Sequence, residues 1–258
     1  MIRADPVKQI SMIQSPSGSR LISRVLPMAV KLWLHTQLDA IGALDFEIQA
    51  TDRQVLSGTI PRIVLSAQQA VYQGVRITDV ALQASGIQIN IGQVLRGSPL
   101  RLQQAFPVEG QVAFDQESLR VSCKESVLTQ GLMDFWRTLL TKKEIATEVA
   151  TYYGPDIAAL QDPKLAEYQS RIEIVGSDLG LYLVRQEQSE LILRGSVDVK
   201  QGNILRLITA QWCLPSGVQI QSQALGNFGW HLGEHTNLRS LTIQNNQITC
   251  QCRIMVQP

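Results

Sequence analysis

Two of the three histidines in this 258-residue chain sit in one short string, HLGEH, at 231–235. The string fits H-x-x-E-H, a pattern of zinc peptidases, and the chemistry it would serve is definite. On a helix, His231 and His235 lie four residues apart on one face and could both bind one zinc ion. Glu234 would act as general base on the metal-bound water, and a third ligand, usually an acid further along, would complete the site. The context opposes these requirements. The segment GNFGWHLGEHTN places Gly226, Gly229 and Gly233 around the histidines, and each glycine costs a helix interior about 1 kcal/mol. The C-terminal stretch LRSLTIQNNQITCQCRIMVQP contains no Asp or Glu, so only Cys250 or Cys252 could supply a late ligand. A short motif counts only in the setting its mechanism needs. The sequence therefore reads here as a glycine-rich turn leading into a strand, without a metal site.

Other reactive groups point the same way. The cysteines are Cys123, Cys213, Cys250 and Cys252, with no C-x-x-C pair. In ITCQCRIMV, Ile248, Cys250, Cys252, Ile254 and Val256 share one parity, so in a strand they line one face. Buried core thiols are expected, and a reducing compartment is favoured. Asp115 and Glu117 are close together, but an acidic helix start accounts for them. There is no G-x-S-x-G and no P-loop. An enzyme is not expected, and no cofactor is implied.

Composition bounds the partners. The net charge of +1 gives no general grip on nucleic acid, and 5% aromatic residues argue against a base-stacking surface. A content of 45% hydrophobic and 17% charged residues fits a globular protein with a sizeable core. No secretory signal is evident: the first apolar stretch comes after about 20 mixed residues and is interrupted by Pro27, Lys31 and His35. No uninterrupted run of about 18 apolar residues offers a membrane span. A cytoplasmic protein is expected, at most peripheral on a membrane.

The elements are set by periodicity. Residues 1–18 carry Pro6, Pro16 and Gly18 and read as a flexible arm, with one domain over 19–258. RLISRVLPMAVKLWLHTQLDAIGAL reads as a long helix whose apolar residues cover more than about 200° of the wheel, with Gly42 and Asp45 marking its end. Arg20, Arg24, Lys31 and His35 fall in the narrow remaining stripe. A helix so widely apolar must be wrapped, or must bury part of itself in another apolar phase. From about residue 45 the period changes to two, as in strands. Ile87, Ile89 and Ile91 share one face, and Gln88 and Asn90 the other, as in a sheet with one wet side. SVLTQGLMDFWRTLLT reads as a second helix over 126–141. Residues 142–169, polar and broken by Gly154, Pro155 and Pro163, read as a mobile loop with a short helical piece. Strands then resume to the C terminus. Long runs of strands without intervening helices mean antiparallel pairing and an α+β fold.

Several strings carry a family resemblance: VLSGTI at 55–60, VYQGVRITDVAL at 71–82, QVLRGSPLRL at 93–102 and FDQESL at 114–119. Over about residues 20–140 the chain resembles the LmeA-like bacterial phospholipid-binding proteins, and HLGEHTNLRSLTIQNNQI keeps the same flavour. The resemblance implies a curved antiparallel sheet wrapping the long N-terminal helix and the second helix, in the manner of tubular lipid-binding folds. It also implies that HLGEH is a turn before the final hairpin. Exported relatives carry a signal peptide or anchor; with neither evident in the sequence, an envelope location is not expected.

The expected function is non-catalytic binding of a phospholipid or glycolipid in an apolar groove, for transfer, presentation or maintenance of a membrane. Leu21, Val25, Met28, Leu32 and Trp33 of the first helix and Leu132, Phe135 and Trp136 of the second are the candidate apolar contacts. For Phe135 and Trp136, ordinary core is the competing reading. Arg20, Arg24 and Lys31 are candidates for a head group or an anionic membrane, against the plainer reading of a solvated helix face. The alternative function is a scaffold that packs the same unit fully and binds a partner protein, with 142–169 as its contact.

Overall fold

The computed structural model describes residues 25–160, 164–186, 188–233 and 236–258. The N-terminal arm and candidates Arg20, Leu21 and Arg24 lie outside them, as do Glu234 and His235.

The described chain enters through α1 (Leu26–Gln37), with Pro27 in its first turn, where a missing N–H costs no helical bond. The expected continuation to residue 44 is not formed. Leu38 is extended (φ −115°, ψ 139°), the Asp39 carboxylate accepts the Gly74 N–H at 2.8 Å, and Ala40 bridges to Val71. These sheet contacts take the chain out of the helix, and Leu44 opens β1 (Leu44–Gln49). Next come α2 (Asp52–Leu56), β2 (Thr59–Tyr72), β3 (Val75–Gln88), α3 (Ile91–Val94), β4 (Phe106–Asp115), α4 (Gln116–Ser122) and α5 (Ser126–Leu140). Thr51 and Gln54 form a reciprocal capping box that fixes the start of α2. Asp115 caps α4 through Ser118 N–H at 2.7 Å, and that bond holds its carboxyl below the ordinary range.

The tract expected as a loop is largely helical, with α6 at Lys143–Tyr153 and α7 at Pro155–Ala158. Ile145 and Val149, four residues apart, are buried, and this apolar stripe anchors the helix beneath its polar surface. Then come β5 (Gln169–Val175), β6 (Asp178–Arg185), β7 (Gln188–Gly195), β8 (Val197–Lys200), β9 (Ile204–Leu207), β10 (Gln211–Cys213), β11 (Gln219–Gln221), α8 (Gln223–Gly226), β12 (Gly229–His231), β13 (Thr236–Gln244) and β14 (Gln247–Val256).

Pairing is antiparallel throughout, in three open sheets. The largest has the order β1-β2-β3-β4-β14-β13, the second β11-β10-β7-β6-β5, the third β12-β9-β8. The fold is α+β, as expected. In the first sheet β2 and β3 form one long hairpin whose two strands change the parity of their inward residues at the same levels. Ile60 pairs with Ile87, then Ile63 with Ala84 and Ala67 with Val80, then Ala70 with Ile77. The switch levels are marked by Gly86 (φ +65°) and Gln69 (φ +54°). Left-handed residues at these levels bend both strands together, so one face stays inward along a coiled ribbon.

One end of that inner face packs on α1; the other packs on α4, α5 and the second sheet. Leu26 and Val30 of α1 share a buried cluster with Val55, Ile60, Ile87 and Phe106. Leu132, Phe135 and Trp136 of α5 belong to a larger cluster with Leu183, Leu193, Trp212 and Ile248. The indole N–H of Trp136 donates to Ser170 Oγ at 2.9 Å, satisfying it in the core. No helix among the described residues is long and apolar enough to cross a membrane.

Candidate functional site

A groove runs between α1 and the inner face of the six-stranded sheet. Its volume is about 310 Å³. Val30, Trp33 and Leu34 of α1 roof it, and Leu38 and Ile41 extend the roof past the helix end. The floor comes from four strands: Ile63 and Leu65 of β2, Leu82 and Ala84 of β3, Val108 and Val112 of β4, and Cys252, Ile254 and Val256 of β14. Leu100 and Leu102, on the loop after α3, line one end. No lining residue is charged, and polar atoms are confined to Gln37, Tyr72 and the edges of Trp33 and Cys252. Tyr72 is exposed at the opposite end from Leu100.

The loop that carries Leu100 and Leu102 is held by a buried amide. Asn90, expected on a wet sheet face, is buried. Its Nδ2 donates to the Pro99 carbonyl at 3.0 Å, and its Oδ1 accepts the Arg101 N–H at 2.7 Å. The strand ends at Gln88, and Ile91 opens α3, so the expected alternation stops at Ile89. Asn90 thereby fixes the chain that turns Leu100 and Leu102 into the groove. The string QVLRGSPLRL supplies the segment that is held, but Asn90 stands three residues before it, and a lone Asn gives no sign in sequence of being buried.

The first-helix candidates divide. Trp33 lines the groove. Met28 and Leu32, expected to contact lipid within it, point outward with 73% and 65% of their surface exposed, and Val25 is exposed as well. The reason is helical phase: Leu26, Val30 and Trp33 occupy the inward face, which leaves 28 and 32 on the other side. Lys31 is exposed on α1. The second-helix candidates are elsewhere: Leu132, Phe135 and Trp136 are core residues of the other cluster, where Phe135 makes edge-on contacts with Trp136, Phe228 and Trp230. Sheet residues supply most of the groove, and sequence reasoning centred on the helices missed them.

The single-parity face of β14 holds as expected. Ile248 and Cys250 are buried in the larger cluster, while Cys252, Ile254 and Val256 continue the same face into the groove. Burial pushes the Cys250 thiol up to about 12, and raises that of Cys252 in the same sense. Cys252 is thus a groove residue rather than a fully buried one. His231 ends β12, paired with Ile204, and the Leu232 N–H donates to the Asn203 carbonyl at 2.8 Å. That extended backbone is incompatible with the helical face a zinc pair at 231 and 235 would need. Among the described residues no three His, Cys, Asp or Glu side chains come together as a metal site.

What this arrangement can do is hold a narrow apolar chain out of water, in a lining without charged groups. Comparison with known proteins bears on the same point. No curated protein and no solved structure matches the chain. A sequence model of one family, described as LmeA-like phospholipid-binding, matches residues 18–253, spanning α1, both ends of the groove and most of the final hairpin that completes its floor. By that match over nearly its whole length, the chain belongs to the LmeA-like phospholipid-binding family.

Proposed function

We propose that the protein binds a phospholipid or related lipid without transforming it, lodges an acyl chain between α1 and the sheet, and serves to transfer or present that lipid at a membrane. The observation that carries this reading is the uncharged, apolar lining of a groove of about 310 Å³. A cavity of about 150 Å³ accepts a six-carbon ring. By that scale the groove accepts about twelve carbons, which suits one acyl chain, with the head group and any second chain left outside. At about 0.8 kcal/mol per buried CH₂, twelve methylenes contribute about 10 kcal/mol before the costs of association. Such a gain needs no catalytic group.

Native mass spectrometry of the purified protein, with organic extraction and lipid analysis of the same sample, tests the reading. A phospholipid or glycolipid near one per chain is expected. A clean apo mass, with no uptake from added liposomes and a stoichiometric partner protein instead, would replace it with a scaffold.

A further inference from the structure

We propose that the end of the molecule formed by α1, α2, α3 and the 95–102 loop docks on an anionic bilayer and so presents the mouth of the groove to the membrane. The proposal rests on the groove as an acyl-chain site and adds the surface from which that chain is taken up.

The first observation is where exposed apolar side chains collect. Among the described residues twelve large hydrophobic side chains are exposed, and seven of them lie on α1 and its N-cap, the last residue of α2, the residue capping α3, and the C-terminal end of β14. These elements share one end of the fold, because Leu26, Val30, Val55, Ile91, Val94 and Val256 pack into one cluster. Met28, Leu32, Leu56 and Leu95 are the outward members. A soluble surface has no use for such a concentration, whereas a bilayer interface buries it.

The second observation is charge. Residues 80–108 contain no Asp or Glu. Arg53, Arg96, Arg101 and Lys31 are exposed at this end, and none of them makes an ion pair among the described residues. In residues 109–258, by contrast, seven of the eight arginines are ion-paired. Lysines there without an ion pair among the described residues, such as Lys143, sit on or near α6, whose buried residues belong to the other cluster. Asp52 is the one acid on α2 or α3. Exposed apolar residues set among uncommitted cations match an anionic lipid surface, where the cations meet phosphate and the apolar side chains enter the acyl boundary.

The third is continuity. Arg101 sits between Leu100 and Leu102, which line the groove, and the Asn90 amide fixes that segment. Ile254 is at once exposed and part of the groove wall. The face and the groove thus share Ile254 and adjoin at the segment 100–102. A lipid drawn from the bilayer would enter past Leu100 with its phosphate left near Arg96 and Arg101.

The test is vesicle flotation of the full chain with phosphatidylcholine vesicles and with phosphatidylcholine containing about a third phosphatidylglycerol. Binding is expected to the anionic vesicles and to fall with added salt. Each basic residue near such a surface is worth about fivefold in partitioning, so Arg53→Gln/Arg96→Gln/Arg101→Gln should weaken binding about 100-fold. Met28→Ser/Leu56→Ser should weaken it without changing its salt dependence. Lys142→Gln/Lys143→Gln/Lys164→Gln, in the other half of the molecule, should leave it unchanged. Wild-type binding by the triple arginine variant, or dimerisation with no vesicle binding, would overturn the proposal. Loading with a monomeric pyrene-labelled fatty acid separates the two ideas. A triple variant that loses vesicles but still takes the fatty acid supports docking at this face. A wild type that binds vesicles yet never takes the fatty acid overturns the groove and leaves the docking face standing.

Discussion

Ala84→Phe is the most direct way to ask whether the groove is the lipid site. Ala84 lies in the middle of β3, paired with Ile63 on one side and Val108 on the other, and its side chain faces the groove. The substitution adds one phenyl ring, the group that fills a cavity of about 150 Å³. About half of the 310 Å³ would remain, enough for about six carbons. Losing the burial of about six methylenes at 0.8 kcal/mol each costs about 5 kcal/mol, or three orders of magnitude in affinity. If α1 lifts to relieve crowding, part of that is recovered, and tenfold is the least loss expected.

The lipid-free stability should move in the opposite direction. A filled cavity regains about 24 cal/mol per Å³, so the variant should be more stable by up to about 4 kcal/mol, seen as a higher urea midpoint at unchanged slope. Aromatic residues also suit a strand. Ala81→Phe provides the control, since Ala81 is exposed on the opposite face of the same strand, paired with Ser66 and Gln111. Titration of pyrene-labelled fatty acid fluorescence measures all three proteins. A folded Ala84→Phe variant that binds with wild-type affinity would refute the reasoning outright.

Other perturbations separate fold from site. Ser170→Ala removes the partner of the buried Trp136 indole and should cost about 1–3 kcal/mol of unfolding free energy, while fatty-acid affinity stays the same because this core is remote from the groove. Gly110→Ala would set a Cβ 2.1 Å from the Ala81 carbonyl oxygen, at φ +156°. It should destabilise by about 3 kcal/mol or abolish folding, visible in the urea midpoint or in soluble yield. Cys250 gives a pH signature. Burial raises its thiol from 9.0 to about 12 in the folded chain, so above pH 9 the unfolded state releases a proton that the folded state keeps. Its stability contribution is complete below pH 9 and is lost as pH rises toward 12, at about 1.4 kcal/mol per unit. Cys123, Cys213 and Cys252 are raised in the same sense, so Cys250→Ala should reduce the fall in urea midpoint between pH 9 and 10 without removing it.

Much of the fold is legible because periodicity reports sidedness. The strand runs, the second helix and the one-parity face of β14 emerge from alternation and helical spacing alone. The tract at 142–169 reads as a loop because its Lys, Glu and Thr residues mask a two-turn apolar stripe. Ile145, Val149 and Tyr153 recur at four-residue spacing, Gly154 ends the helix, and Pro155 opens the next. Those signals are present in the sequence, and spacing outweighs polar composition there. The end of α1 is a different kind of error. Nothing local stops a helix at Gln37; the stop comes from Asp39 and Ala40 reaching Gly74 and Val71, partners more than thirty residues away.

The site is the least legible part, for a reason that goes beyond any one residue. An apolar face in sequence says that water is excluded from it, and leaves open whether protein or lipid does the excluding. On β14 one uninterrupted face serves both core and groove: Ile248 and Cys250 meet core side chains, and two residues later Cys252 and then Ile254 face the groove. The alternation does not change where the core gives way to the groove. On α1 the same ambiguity is doubled, because Val30 and Trp33 face the groove while Met28 and Leu32 face outward. On the two proposals above, the wide apolar arc marks α1 as a helix with two apolar environments. One is the acyl-chain groove proposed beneath it, and the other is the bilayer proposed outside it. On this reading, Met28→Ser should impair vesicle binding while sparing fatty-acid uptake, and Ala84→Phe should do the reverse. If both substitutions impaired both properties equally, the two faces of α1 would have to be one site.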